Sequence, residues 1–272
     1  MRKRETEMKK EFFTLIFILV FAFGAVAQTP ENGVCAHRGA SVELPENSLR
    51  AFERAIELDA DWIETDVCLT RDGVAVLSHD LSTGRQCSQD VRISEKTYAE
   101  LCELDLAEKF RAARNLTLEQ CPKHQITRLD EALDLILKYR KARLTLHLKS
   151  GCLAEVARIV REKQAEDWIG FNGHENLLIP AHQEFPNAPL FWDRYGTDVD
   201  ADIELGKKLG FRTMIFNFND VTPEKVAKVR AAGFVPGAWT VNSEAKMREM
   251  IDAGIERFYT DDPRLLLKVW GK

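Results

Sequence analysis

The fold this sequence predicts is a (β/α)8 barrel, eight parallel strands ringed by eight helices, and three observations predict it. From Gly33 onward eight short β-branched or aromatic runs alternate with eight stretches of helical period. Eight such units in ~240 residues match the size of that architecture. The main competitor, a doubly wound open sheet, lacks its usual signature: a Gly-rich turn should follow the first strand, and the residues there are His37-Arg38-Gly39-Ala40-Ser41.

The strands are expected at Val34–His37, Trp62–Leu69, Leu144–Lys149, Trp168–Phe171, Leu190–Asp193, Thr213–Phe218, Gly237–Val241 and Arg257–Thr260. Helices fall between them at Glu46–Leu58, Leu129–Arg140, Leu153–Lys163, His174–Glu184, Asp200–Leu209, Pro223–Ala232, Glu244–Ala253 and Arg264–Val269. Leu129, Leu133, Ile136 and Arg140 share one face, and Asp130 and Glu131 favour the dipole of the first turn. Thr222 is a natural N-cap with Pro223 behind it, and Gly233 is a natural stop; Ser243 and Gly254 bracket the next helix in the same way. One irregular stretch, Arg71–Ile126, separates the second strand from its helix and contains a further β-like run, Val74–Ser78. Long insertions of this kind in compact domains are usually lids or binding loops.

The chain has 272 residues, 45% hydrophobic and 30% charged, which excludes a disordered or collagen-like protein. Its net charge of −5 offers no basic footprint for a nucleic-acid backbone. Arg2, Lys3, Arg4, Lys9 and Lys10 precede an apolar run from Phe12 to Ala27 that ends Ala25-Val26-Ala27, the pattern of an export signal cleaved after Ala27. The alternative is an uncleaved anchor, but the run is shorter than the ~20 residues a span prefers. The expected organisation is therefore a signal peptide at 1–27 and one domain at 28–272, periplasmic or secreted, with no stable membrane span after cleavage. Removing residues 1–27, with five cations and three anions, leaves a domain of net charge −7.

Export would permit disulfides among the six Cys. Cys35 and Cys68 lie in apolar strand-like runs and read as buried thiols. Of the remaining four, Cys87 and Cys121 are the expected pair, since their bond would close the long insertion.

In a barrel the site is built at the C-terminal ends of the strands. His37-Arg38-Gly39 ends the first strand, and Glu64-Thr65-Asp66 sends two carboxylates to one side of the second. Val74–Ser78 delivers His79-Asp80, and His147-Leu148-Lys149 ends the third barrel strand. A lone strand-end His is more often a packed rim residue than a catalyst, and Lys149 could simply pair with Glu64 or Asp66. Six such groups converging are harder to explain as packing, because two buried carboxylates on one face repel unless a cation sits between them.

These residues resemble a family. His37-Arg38-Gly39, Pro45-Glu46-Asn47-Ser48, Glu64-x-Asp66, His79-Asp80, Thr127-x-Leu129-x-Glu131-Ala132-Leu133, Lys149, Ala238-Trp239-Thr240-Val241-Asn242 and Thr260-Asp261-Asp262-Pro263 together look like the glycerophosphodiester phosphodiesterases. The ordered set runs through essentially the whole domain. The resemblance implies a TIM barrel that hydrolyses small-molecule glycerophosphodiesters to glycerol 3-phosphate and an alcohol. It makes His37 and His79 the general acid and base, and Glu64 and Asp66 ligands of Mg²⁺ or Ca²⁺. Arg38 and Lys149 would hold the phosphate oxygens, and Trp239 would wall the alcohol or glycerol. Glu46 and Asn47 would brace the His37 loop, unless Glu46 serves only a helix N-terminus. The family also commonly lets an adjacent glycerol hydroxyl attack first, giving a cyclic phosphate.

The sequence departs from that pattern at two places. The carboxylate usually found two residues before the Lys is His147, an imidazole that suits Mn²⁺ or Zn²⁺ better than Mg²⁺ or Ca²⁺. After His79 the usual Arg-Thr-Thr is replaced by Gly84-Arg85-Gln86-Cys87. Two other readings follow from these departures: phospholipase D-like or lyase action on a lysolipid or sphingolipid headgroup, with a mouth lined by Phe191, Phe216 or Phe218, and a phosphodiester-binding module without turnover.

Overall fold

The computed structural model describes residues 30–149, 151–196 and 198–272. The expected signal at 1–27 lies outside them. Strands β1 (Gly33–His37), β2 (Trp62–Leu69), β3 (Ala75–Leu77), β4 (Arg143–Leu148), β5 (Ile169–Gly173), β6 (Leu190–Arg194), β7 (Thr213–Asn217), β8 (Val235–Trp239) and β9 (Arg257–Thr260) form one sheet. Its order is β1-β9-β8-β7-β6-β5-β4-β2-β3, and β1 also pairs with β2, so eight parallel strands close on themselves. β3 is the exception, running antiparallel along the C-terminal part of β2 with Val67 opposite Leu77.

Period-two alternation divides each barrel strand between two surroundings. Val34, Ala36, Ile63, Leu144, Leu146, Phe171 and Trp192 face the outer helices in the main core. Cys35, Trp62, Phe191, Ile215 and Tyr259 form a separate cluster inside the barrel, with Trp239 packed on it. Arg257 is fully buried on this floor, its guanidinium 3.4 Å from the Phe191 ring centroid and 4.9 Å from that of Trp62. One or two pleats further along the same inward faces lie His37, Glu64, Asp66, His147 and Asp193, so each polar group at the mouth stands on an aromatic and aliphatic floor.

The helices stop and start by ordinary chemistry. Ser48, Thr222 and Ser243 each accept a backbone N–H from the first turn of the helix they open. The first helix spans Leu49–Glu57 rather than starting at Glu46, because Ser48 is its N-cap and Asn47 has a positive φ. Glu46 is thereby released from a helix-terminal role. β8 covers Val235–Trp239 rather than 237–241; Pro236 fits inside the strand because β9 pairs with β8 only from Gly237.

The long insertion is built rather than irregular. It carries β3, a 3₁₀ turn at Ile93–Glu95 and helices at Tyr98–Cys102 and Glu108–Ala113, around a small core of Val76, Cys87, Ile93, Leu101, Leu106 and Ile126. The expected Cys87–Cys121 disulfide is not formed; all six cysteines are free, and the Cys87 thiol donates instead to the carbonyls of Thr83 and Gln89.

Candidate active site

The first turn of the site is made by two left-handed residues and a glycine. Arg38 has φ 60° and Asn47 φ 55°, uncommon conformations for side-chain-bearing residues that tend to be held at functional sites. The Asn47 N–H donates to the Arg38 carbonyl at 3.0 Å, and Asn47 Oδ1 accepts from Thr65 Oγ1 at 2.7 Å. Gly39 follows at φ 87°, where a Cβ would lie 2.7 Å from the Ala51 carbonyl carbon. Asn47 thus braces the His37 loop and ties it to β2.

His37 closes β1, with Nδ1 2.6 Å from Asp261 Oδ1 and Nε2 3.8 Å from Glu64 Oε2. An ionised carboxylate only accepts, so Nδ1 carries the proton and Nε2 is the basic nitrogen. Asp261 is itself held by Ser41 Oγ at 3.2 Å and by Asn242 Nδ2 at 2.5 Å. Burial lowers the pKa of His37, the Asp261 hydrogen bond opposing.

Glu64 and Asp66 are both buried, facing inward from β2. Burial and the neighbouring Asp66 push the Glu64 carboxyl well above its ordinary range. Burial acts on Asp66 too, but His147 and Lys149 outweigh it and hold that carboxyl low. Asp66 Oδ1 lies 2.8 Å from Lys149 Nζ and 3.0 Å from His147 Nδ1, so the ion pair anticipated for Lys149 is made with Asp66. Glu64, Asp66 and His147 offer ligand atoms all within 4.8 Å of one another. Glu64 Oε2 and Asp66 Oδ2 are buried without a hydrogen-bond partner, a costly arrangement that a cation would relieve. On that observation the residues fit a divalent ion.

A chain of ion pairs joins Arg38 to the His79 loop. Arg38 Nε is 3.7 Å from Asp66, and its NH1 is 3.1 Å from Glu46 Oε2. Arg85 NH2 reaches the other Glu46 oxygen at 2.8 Å, and Arg85 Nε lies 3.2 Å from Asp80 Oδ2. Asp80 Oδ1 is 2.6 Å from His79 Nδ1. Arg85, part of the atypical segment after His79, therefore ties the loop to the mouth. Burial raises the Glu46 carboxyl to about 7, with Arg38 opposing.

His37, Arg38, Glu64, Asp66, His147 and Lys149 are brought together by direct contacts, His79 is linked to them through Asp80, Arg85 and Glu46, and Trp239 packs on the inner cluster; four further residues emerge from the fold. Asp261 and Glu46 lay within quoted motifs, and Arg85 within the atypical segment, without a charge-pairing role. Asp193 ended a predicted strand, and its inward direction was available from alternation with Phe191. Burial raises its carboxyl to about 6, with His147 and Arg257 opposing. Trp239 is flanked by Tyr195, ring centroids 5.1 Å apart, and its indole N–H is buried without a partner. Phe191 and Phe216 are fully buried and do not line the mouth, whereas Phe218, on the turn just after β7, is half-buried.

A closed parallel barrel with imidazoles, carboxylates and guanidinium groups at its strand C-termini defines an enzyme of the TIM-barrel class. The family profile for glycerophosphoryl diester phosphodiesterases matches residues 37–265. The chain belongs to that family, whose members are phosphoric diester hydrolases. It is 28% identical over 246 residues to a glycerophosphodiester phosphodiesterase of Caldanaerobacter subterraneus subsp. tengcongensis, covering 87% of this chain and 96% of that one. A Bacillus altitudinis glycerophosphodiester phosphodiesterase is also 28% identical, over 245 residues, with 87% and 97% covered. The solved structure of an Oleispira antarctica phosphodiesterase in complex with the product sn-glycerol-3-phosphate superposes with a TM-score of 0.76 at 25% identity, covering 88% and 96%. Among the described residues no helix is long and apolar enough to cross a membrane.

Proposed function

We propose that this protein is an exported, metal-dependent glycerophosphodiesterase that cleaves glycerophosphodiesters to glycerol 3-phosphate and an alcohol, with His37 and His79 as acid–base pair. The observation that carries the reading is the pairing of two carboxylate-oriented imidazoles with two buried carboxylates whose outer oxygens lack partners. The family match and the product seen in the Oleispira relative support the substrate class. Export rests on the pattern at residues 1–27.

Glu64, Asp66 and His147 would hold the ion, which when bound neutralises phosphate charge and polarises the P–O bonds. Magnesium, calcium, manganese and zinc are the candidates, the imidazole favouring the last two. Arg38 and Lys149 would take the non-bridging oxygens, Arg as a planar fork and Lys as a point charge. One histidine takes the proton of the attacking hydroxyl as its oxygen bonds phosphorus. The other delivers a proton to the departing alkoxide as the ester P–O bond breaks; where the attacking hydroxyl is the substrate's own, water then opens the cyclic phosphate to give glycerol 3-phosphate. Such acid–base work contributes roughly 10²–10⁴-fold in rate.

Assay of the purified protein with glycerophosphocholine, glycerophosphoethanolamine and a lysolipid, with its bound metal identified, tests the reading. Release of glycerol 3-phosphate is expected. Absence of turnover with every diester and metal would instead favour a binding module.

A further inference from the structure

The mouth carries a second recognition element beyond the phosphate site, on the ends of β5, β6 and β8. Tyr195 follows β6 and is 49% exposed, high for an aromatic ring on the rim of a core. Its ring meets Trp239 at the end of β8 with centroids 5.1 Å apart and planes at 67°, so the two rings make a corner. His174, just after β5, also packs against Tyr195, at 5.1 Å and 35°.

A carboxylate accompanies the corner. Asp193 stands two residues before Tyr195 on β6, on the inward face shared with Phe191, and among the described residues its side chain makes no hydrogen bond or ion pair. The cations around it are committed elsewhere. Arg194 points to the outer layer, bonded to Asp202 at 2.5 Å and Glu175 at 3.3 Å. Arg257 is confined to the floor among Phe191, Trp62 and Tyr259, and Lys149 is on Asp66. What remains is an aromatic corner of electron-rich faces beside an unpaired negative charge, in a domain of net charge −7.

Two ring walls set at a wide angle with a nearby carboxylate attract a weakly hydrated cation. A quaternary ammonium presents methyl groups to ring faces and carries the positive charge that balances Asp193, whereas a neutral polyol could hydrogen-bond the carboxylate but would leave its charge uncompensated. We infer that Tyr195, Trp239 and Asp193 form a headgroup subsite for a quaternary ammonium alcohol, so that the preferred diester is of the glycerophosphocholine type. The inference rests on the phosphodiesterase reading for the placement of the phosphate, and it adds the class of alcohol. Asp193 supplies charge and Tyr195 a wall; neither takes part in bond breaking.

The test is equilibrium binding of two diesters, glycerophosphocholine and glycerophosphoglycerol, to the full-length His37→Ala protein by titration calorimetry. The choline diester is expected to bind about tenfold or more tightly than the neutral one. In the same background Tyr195→Ala and Asp193→Asn should each bring the ratio close to one, while Tyr195→Phe, which keeps the ring, should preserve it. Equal binding of the two diesters, or a ratio that survives both Tyr195→Ala and Asp193→Asn, overturns the subsite. Turnover assays on the wild-type protein separate the two readings. Hydrolysis of both diesters without a binding preference leaves the phosphodiesterase standing and removes the subsite. A choline preference in binding with no hydrolysis of any diester leaves the subsite and removes the phosphodiesterase.

Discussion

His37 Nδ1 and Asp261 Oδ1 lie 2.6 Å apart although 224 residues separate them. The meeting is a consequence of barrel closure: β1 pairs with β9 along Gly33–Ala36, and Asp261 follows directly after β9. Burial alone would raise the Asp261 carboxyl, but the hydrogen bond from His37 brings it below its usual range. The carboxylate thereby sets the tautomer and direction of the ring.

Asp261→Ala is expected to lower kcat by about 10²-fold with a small change in KM, because acid–base catalysis depends on the ring being held in register. Asp261→Asn, which can present the wrong tautomer partner, should fall as far. Steady-state kinetics on the best diester checks this, and an unchanged kcat in both variants would show that His37 is oriented without Asp261.

Single substitutions His37→Ala and His79→Ala should each cost roughly 10²–10⁴ in kcat. The double variant should lose much less than the product of the two, since residues that act as a unit are not additive. Turnover that persists in the double variant at the wild-type rate would remove the two-histidine mechanism.

Stripping with a chelator should abolish turnover, and re-addition of single ions should identify the metal. His147→Glu restores an oxygen donor and one negative charge, so affinity for Mg²⁺ or Ca²⁺ should rise about tenfold or more in a calorimetric titration. An identical metal response in wild type and variant would mean that His147 is not a ligand.

His124 gives a pH prediction away from the catalytic residues. Burial pushes its pKa down to about 4 from the 6.5 of the unfolded chain. The neutral form is the one the fold accommodates, so its contribution is complete above pH 6.5 and is lost as pH falls through 6.5 toward 4. The amount is on the order of 3 kcal/mol. The stability difference between wild type and His124→Gln should therefore shrink between pH 7 and pH 4 in denaturant titrations. Glu46 acts with the opposite sign, its contribution being lost as pH rises toward 7, so the comparison is made against the His124 variant. A constant difference would contradict burial of a neutral imidazole.

Gly39→Ala should destabilise the fold by about 2–4 kcal/mol, combining positive-φ strain with overpacking against the Ala51 backbone. Chemical denaturation measures it directly. A loss under 1 kcal/mol would mean that the loop shifts to accommodate the methyl group.

The barrel itself was legible along the chain because its signals are local. Strand alternation at Trp62–Leu69 and Arg257–Thr260, and the Thr222-Pro223 and Ser243 caps, need only neighbours within a few residues, and the observed elements fall there. The chemical types at the mouth were equally legible, since His37, His79, His147 and Lys149 stand at or just beyond strand ends and Glu64 and Asp66 alternate onto one face of β2. The insertion was less so: its small core joins Cys68 and Val76 to Leu106 and Ile126, contacts no periodicity reveals.

Pairing was decided by closure of the ring. Whether Lys149 meets Glu64 or Asp66, whether Glu46 caps a helix or bridges Arg38 and Arg85, and whether Cys87 finds Cys121 or a carbonyl are all questions of distances across the fold. The same closure brings Asp261 to His37 and sets Tyr195 beside Trp239. A sequence fixes which side of a strand a residue occupies because that depends on backbone geometry within a few residues. It leaves open which distant group stands opposite, because that depends on how eight strands tilt and close together.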